Sequence, residues 1–150
     1  MFSILDFPNL DAEGWTKTSC ESEDYNCIAW AAWDQAKWWW PTGGLMYGKA
    51  VYWPRTAPKK ETIGAFTRAF GHRGYKRLPG NNTEYESGYE KIAIYAIGFR
   101  PTHAARQLPS GLWTHKMGPA IDLETTLTAV EGPEYGRVVR VLRKKLRPQI

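Results

Sequence analysis

The segment of residues 27–40, CIAWAAWDQAKWWW, most strongly constrains how this chain can fold. It contains no Gly or Pro, is rich in Ala and Trp, and ends at Pro41. The pattern predicts a helix of about four turns that is apolar on nearly every side and is therefore buried. Because 150 residues with eight Trp suffice for one core of this kind, we expect a single domain over residues 1–150.

The second half of the chain favours strands. Three apolar or alternating segments, EKIAIYAIG, PTHAARQL and GLWTHKMG, follow one another with Gly or Pro at their ends. Their spacing predicts an antiparallel meander. Helical spacing predicts short helices over residues 61–70 and 122–132, and a basic amphipathic carboxy-terminal helix over about 135–147. The expected class is α+β, with an amino-terminal helix packed on a small antiparallel sheet.

The net charge of +5 is concentrated at the end of the chain. Six of the 20 Lys and Arg residues, and no acid, follow residue 136, so residues 1–136 hold 14 basic and 15 acidic residues. We therefore expect the basic segment to contact an acidic partner rather than to read nucleic acid. With no apolar run of ~20 residues and no signal-like amino terminus, a cytoplasmic protein without membrane contact is expected.

Cys27 is the candidate for chemistry. At the start of a helix, unpaired N–H groups and the macrodipole lower a thiol pKa and can hold an oxyanion. A small buried apolar side chain is the alternative role for such a cysteine. His103 and His115 lie on adjacent predicted strands, and a thiol beside an imidazole forms a nucleophile–base pair. A zinc set of Cys27 and the two histidines lacks a fourth ligand, so neither a metal nor a cofactor is expected.

The motifs YNCIAWA, EKIAIYA, PTHAARQ, GLWTHKMG and AIDLE, in this order, resemble those of an uncharacterised bacterial family with a papain-like fold. The arrangement is also similar to that of NlpC-type cell-wall peptidases. The resemblance implies a cysteine hydrolase in which Cys27 is the nucleophile and His103 the base. His115 or Asp122 would orient the imidazole, and Asn26 would either donate to an oxyanion or cap the helix.

The expected function is that of a peptidase, amidase or deamidase acting on a protein, peptide or peptidoglycan. A domain delivered by a secretion system would fit such an enzyme. Trp30, Trp53 and Trp113 are expected to line the substrate cleft, whereas the aromatic residues 38–40 either pack in the core or form a wall beside it. Lys91 and Arg106 are predicted to be exposed.

Two alternatives to catalysis remain open from the residues. One is a binding module that uses the basic carboxy-terminal helix to contact nucleic acid or an acidic protein. The other is a fold of this kind that has lost its chemistry and serves as an adaptor or inhibitor. The reactivity of the Cys27 thiol separates both alternatives from the hydrolase.

Overall fold

The computed structural model describes residues 3–147, and one antiparallel sheet of seven strands dominates them. A separate two-stranded hairpin lies between α2 and α3. The order of strands in the large sheet is β1-β8-β7-β6-β5-β9-β4. The strands are β1 Thr16–Ser19, β2 Leu45–Met46, β3 Lys49–Ala50, β4 Lys76–Arg77, β5 Tyr89–Ile97, β6 Arg100–Gln107, β7 Trp113–Lys116, β8 Asp122–Thr125 and β9 Arg137–Lys145, of which β2 and β3 form the hairpin.

The helices are short. They are α1 Leu10–Glu13, α2 Cys27–Ala31 and α3 Ile63–Gly71, with 3-10 turns at Ile4–Asp6 and Thr128–Val130. The α3 prediction is confirmed, as are the three central strands of the meander, β5, β6 and β7. None of the helices described between residues 3 and 147 is long and apolar enough to cross a membrane.

The predicted four-turn helix over residues 27–40 is wrong beyond Ala31. Trp33 adopts a left-handed backbone with φ 66°, which an L-residue does not repeat along a helix. The chain then runs extended, and the N–H of Trp40 donates to the Tyr52 carbonyl at 3.0 Å. Trp38 and Trp39 are buried, as expected, but Trp33 is 59% exposed, so the segment is neither helical throughout nor buried throughout.

The predicted class, α+β with a helix on a small sheet, is also wrong, because the chain is mainly β. The papain-like arrangement expected from the resemblance fails with it. The segment expected as a carboxy-terminal helix is β9, which pairs with β5 from Tyr89–Lys145 to Ala96–Arg137. Its β-branched Val residues suit a strand held between two neighbours. Residues 122–132 likewise form β8 and a single 3-10 turn; residues 1, 2 and 148–150 of the predicted domain lie outside the described residues.

The sheet buries a separate cluster on each side. The side covered by the two longer helices, called the α2–α3 face, is packed with Ile28, Phe66, Ile94 and Leu142. The other side, called the opposite face, is packed with Leu10, Tyr95, Trp113, Leu123 and Val130. Side chains alternate between the two faces along each strand, so consecutive residues of β6 and β7 meet different surroundings.

The prediction that Lys91 and Arg106 are exposed is wrong, because both are buried within central strands. Lys91 Nζ forms an ion pair with Glu86 at 2.9 Å and donates to two backbone carbonyls of the preceding loop. Arg106 places its guanidinium 3.5 Å from the centre of the Trp33 ring. Each long cation thus reaches a partner while its aliphatic stem fills the core.

Candidate functional site

Cys27 is the first residue of α2 and lines a cavity of about 410 Å³, called the Cys27 cavity. The side chain is 8% exposed, so the thiol is reached only through this opening. The walls are largely apolar, and the hairpin of β2 and β3 contributes to them. The other lining residues are Asn26, Trp38, Trp40, Thr42, Gly43, Met46, Val51, Thr102, Gly118 and Tyr135.

Burial dominates the protonation of the thiol. It raises the pKa of Cys27 to about 11, because the thiolate loses hydration in this environment. The backbone N–H groups of Ala104 and Ile28, and that of Cys27 itself, act in the other direction, as does the positive charge of Lys116. The resting side chain is therefore a neutral thiol surrounded by groups that would stabilise its anion.

Asn26 caps α2. Its side-chain oxygen accepts from the N–H groups of Ala29 at 3.1 Å and Trp39 at 3.0 Å, and its amide donates to the Trp39 carbonyl at 2.9 Å. Because the side chain is only 4% exposed, these bonds hold the start of α2 against the extended Trp segment. Of the two roles expected for Asn26, the cap is present. Within residues 3–147 its amide has one acceptor, the Trp39 carbonyl, and the residue also lines the Cys27 cavity.

His103 and His115 are paired on the opposite face. The Nε2 atom of His103 lies 3.0 Å from Nδ1 of His115, and both rings are fully buried. Burial lowers the pKa of His115 to about 3, and burial together with the charge of His115 places the pKa of His103 well below its ordinary range. Both imidazoles are therefore neutral, and Nδ1 of His103 makes no hydrogen bond within residues 3–147.

Tyr135 covers the His103 ring and also borders the Cys27 cavity. The two rings stack with centroids 4.1 Å apart and an interplanar angle of 4°. A Cys27 thiolate would further raise the Tyr135 pKa, which burial already raises, so the phenol lies within electrostatic reach of the sulfur. The Thr102 hydroxyl donates to the Tyr135 carbonyl at 2.5 Å and fixes this loop. Tyr135 was missed because its segment was assigned to a helix, although Gly132 and Gly136 bracket it as in a turn.

The thiol and the imidazole meet at one strand without bonding to each other. Cys27 interacts with the N–H of Ala104, the residue that follows His103 in β6. Cys27 packs in the cluster of the α2–α3 face, whereas His103 packs against Tyr95 of the opposite face. No hydrogen bond joins the thiol to either imidazole in the described part of the chain. The predicted nucleophile and base therefore lie near the same strand but on different faces of the sheet. Tyr135 stacks on the base and borders the cavity of the nucleophile.

Asp122 does not contact the histidines. It is fully buried on the α2–α3 face, where its carboxylate accepts from Tyr25 at 2.6 Å and from the Ser19 hydroxyl. Of the two residues expected to orient His103, the structure places His115 in contact with it and Asp122 with other groups. Asp122 instead lines a separate polar cavity that also contains Arg106.

The three tryptophans predicted at the cleft lie in three different places. Trp113 is packed in the core of the opposite face, away from the thiol. Trp30 donates to Thr114 at 3.0 Å and lines the cavity that contains Asp122. Trp53 lines a cavity that adjoins the Cys27 cavity, and the thiol itself is bordered by Trp38 and Trp40. The aromatic wall considered from the sequence is therefore partly core and partly cavity lining.

No cluster of three or more His, Cys, Asp or Glu residues within 3–147 is arranged to hold a metal ion. Cys20, the second thiol, is exposed and unpaired with Cys27. The basic residues of β9 are partly engaged by the fold itself, since Arg143 forms an ion pair with Glu86 at 2.9 Å and Arg140 donates to Thr67 at 3.1 Å. Cys27, His103 and His115 are therefore the candidate reactive groups, since all three are buried and have shifted pKa values.

Residues 16–143 match the model of a family described as Domain of unknown function (DUF7689), and the chain belongs to that family. The match spans β1 to β9 and so includes Cys27, His103, His115 and Tyr135. No curated protein and no solved structure matches the chain at a significant level.

Proposed function

We propose that this protein is a cysteine-dependent hydrolase of amide-type bonds, with Cys27 as nucleophile and His103 as base. The observation that carries the proposal is the placement of the Cys27 thiol. It opens into a cavity at the start of a helix, among N–H groups that favour its anion, beside the strand that bears the His103–His115 pair. The same reaction is called peptidase, amidase or deamidase activity according to which amide bond the thiol attacks.

The histidine pair supports the base role through its tautomer. The Thr126 carbonyl favours a proton on the His115 ring, although Nε2 of that ring does not reach hydrogen-bond geometry. With the His115 proton on Nε2, its Nδ1 accepts from Nε2 of His103. The remaining nitrogen of His103, Nδ1, then carries a lone pair and no partner, as a general base must. Burial holds the pKa of His103 well below its ordinary range in the resting protein, so in the proposed enzyme its basicity has to rise when substrate binds.

Both groups are neutral at rest, so the proton moves during attack and not before it. We propose that the thiol and the imidazole, which are not bonded at rest, come into contact when substrate binds. The Cys27 proton then passes to Nδ1 of His103 as the sulfur–carbon bond forms and the carbonyl oxygen becomes an oxyanion. The N–H of Cys27 and the free amide hydrogen of Asn26 face this oxyanion. Collapse expels the amine, which takes the proton from His103. A water, deprotonated by His103, then cleaves the acyl–sulfur bond and restores the thiol.

Tyr135 positions the base in the proposed enzyme. Its ring stacks on one face of the His103 imidazole, whereas the lone pair of Nδ1 lies in the plane of that imidazole. The tyrosine lies in a short loop closed by reciprocal backbone bonds between Gly132 and Gly136 at 3.0 and 2.7 Å. A substrate in the Cys27 cavity contacts the same Tyr135 ring, so substrate binding and the orientation of His103 are coupled in the proposal.

Covalent capture tests the proposal. The native protein is treated near neutral pH with a peptide vinyl sulfone of neutral sequence, and the adduct on each cysteine is quantified by mass spectrometry. We expect the adduct on Cys27, and we expect its rate to fall about 100-fold or more in His103→Gln, since a positioned base contributes at least that factor. Equal rates in the two proteins would overturn the proposal.

Cys20→Ser is the matched control for Cys27→Ser, because both remove one thiol and only Cys27 lines the cavity. The variants are then incubated with a mixed peptide digest to detect cleavage or the mass gain of deamidation. Turnover is expected in the native protein and Cys20→Ser, and is expected to be lost in Cys27→Ser. Turnover that persists in Cys27→Ser would show that another group does the chemistry.

A further inference from the structure

A second cavity, of about 590 Å³, adjoins the Cys27 cavity. The two have Trp40, Thr42, Gly43 and Val51 as common lining residues, so the second cavity lies next to the one that contains the thiol. We call it the cationic cavity, after the basic side chains on its rim. Its remaining lining residues are Pro41, Tyr52, Trp53, Arg55, Thr56, Lys59 and His72.

The rim of the cationic cavity carries positive charge without compensation. Arg55 and Lys59 are exposed, form no ion pair with any residue in 3–147, and face a lining without a single acid. Four cations within residues 3–147, Lys49, Lys91, Arg100 and Arg143, form ion pairs with carboxylates. Arg55 and Lys59 instead share one opening whose lining contains no acid, which makes that opening locally positive.

The floor of the cationic cavity is aromatic and well anchored. Trp40 and Trp53 both pack edge-on against Phe66 of α3, with ring centroids 5.2 and 5.1 Å away. The indole N–H of Trp53 donates to the Pro58 carbonyl at 2.9 Å and fixes the ring beside Arg55 and Lys59. A rigid aromatic floor below free cations suits a ligand with an apolar or planar body and an anionic end.

We infer that the cationic cavity is the specificity subsite of the Cys27 site and receives the carboxylate-bearing part of a peptide-like substrate. The inference rests on the proposed function, which places the scissile bond at Cys27. The planar guanidinium of Arg55 offers the forked donors that a carboxylate accepts, with Lys59 as a second charge. A nucleic acid would call for a track of cations along a groove, whereas these two lie at the opening of one cavity.

Alkylation by matched peptides tests the subsite. Chloroacetyl-Gly-Glu, which ends in carboxylates, and chloroacetyl-Gly-Gln-amide, which is neutral, place the same electrophile at Cys27. We expect the acidic reagent to modify Cys27 about tenfold faster, the factor that one charge-assisted hydrogen bond supplies. In Arg55→Gln/Lys59→Gln the two rates become equal. Equal rates in the native protein would overturn the inference.

Lys17→Gln/Lys76→Gln is the control for net charge, because it removes two exposed cations that line neither cavity. The preference for the acidic reagent is expected to persist in it. A preference that disappears equally in this control would show attraction by the field of the whole protein, and the subsite would be rejected.

Binding without chemistry separates this inference from the proposed function. Acetyl-Gly-Glu and acetyl-Gly-Gln-amide are titrated into Cys27→Ala while Trp fluorescence is recorded, since Trp40 and Trp53 form the floor. We expect saturable binding of the acidic peptide alone, and its loss in the Arg55→Gln/Lys59→Gln background. Such binding without any Cys27 adduct would reject the hydrolase and keep the subsite, whereas equal affinity for both peptides would reject the subsite alone.

Discussion

His115 and Lys116 are consecutive residues of β7, but their side chains lie on opposite faces of the sheet. They therefore contact different groups. His115 meets the His103 imidazole and the Tyr95 ring, and burial lowers its pKa to about 3. Lys116 meets the Tyr25 ring at 5.0 Å, donates to the Ala120 carbonyl, and lies within the field of Asp122. The pKa of Lys116 is lowered by burial, an effect that the Asp122 carboxylate opposes.

Burial has different consequences on the two faces. On the opposite face, His103 and His115 are held neutral, each with a ring nitrogen that makes no hydrogen bond within residues 3–147. On the α2–α3 face, Oδ2 of Asp122 accepts from the Ser19 and Tyr25 hydroxyls near the Lys116 ammonium, while Oδ1 has no partner within those residues. A neutral imidazole with a free lone pair can accept a proton, whereas the Asp122 carboxylate serves two hydroxyl donors and a buried cation.

The largest expected effect is a loss of stability in acid that is caused by the buried pair His103 and His115. A base whose folded pKa lies below its unfolded value binds protons preferentially in the unfolded chain, so stability falls as pH falls below the unfolded value of ~6.5. Because His103 and His115 are both buried with lowered pKa values, we expect the free energy of unfolding to drop by about 3 kcal/mol between pH ~6.5 and ~5. Urea unfolding at a series of pH values measures this.

Variants assign that acid sensitivity to the pair. In His115→Gln the drop over the same pH interval is expected to be about half, since one titrating ring is gone. His72→Gln, which changes an exposed residue, is expected to keep the full drop. An unfolding free energy that stays flat over this interval in the native protein would mean that the imidazoles are not held neutral by burial.

Removing the Asp122 carboxylate is expected to cost about 3 kcal/mol of stability. Asp122→Ala leaves the Tyr25 and Ser19 hydroxyls without their acceptor and the buried Lys116 ammonium without its nearby negative charge. Glu124→Ala, on the same face of β8 and only half-buried, is the control and should lose little. Equal losses of unfolding free energy in the two variants would contradict the distinction between the faces.

The loop that carries Tyr135 depends on Gly136. Its backbone has φ 72°, and an added Cβ would lie 2.1 Å from the Ala96 carbonyl oxygen. Gly136→Ala is expected to lose about 2 to 3 kcal/mol and to lift Tyr135 from His103, which diethyl pyrocarbonate modification of that histidine would detect. Gly98→Ala, with φ 60° and open space around it, should lose only about 1 kcal/mol and leave His103 protected.

The sequence predicted the local elements of the site better than the fold around them. Residues 90–118 alternate in a way that identifies neighbouring strands, and this was enough to predict that His103 and His115 would be adjacent. The Val-rich segment of β9 is compatible with both a helix and a strand when read alone, because its periodicity is short. Pairing with β5 decides the outcome, and that long-range contact has no local signal.

The relation of Cys27 to the histidines is a property of the folded sheet. A one-residue step along β6 separates Ala104, which interacts with the thiol, from His103, which points to the opposite face. Motif order therefore predicted proximity but not the absence of a bond between the two groups. Tyr135, whose ring stacks on the His103 imidazole, lies in a segment for which a helix was wrongly predicted.

The smallest expected effect on stability comes from a substitution at Trp30, on the α2–α3 face. Its indole N–H donates to the buried Thr114 hydroxyl on the α2–α3 face, and Trp30 is not among the residues that line the Cys27 cavity. Trp30→Phe keeps the aromatic ring and removes the donor, so we expect a loss of about 1 kcal/mol in the free energy of unfolding. The rate of Cys27 alkylation should stay as in the native protein. A slower alkylation with unchanged stability would instead place Trp30 at the substrate cleft, where the sequence first suggested it.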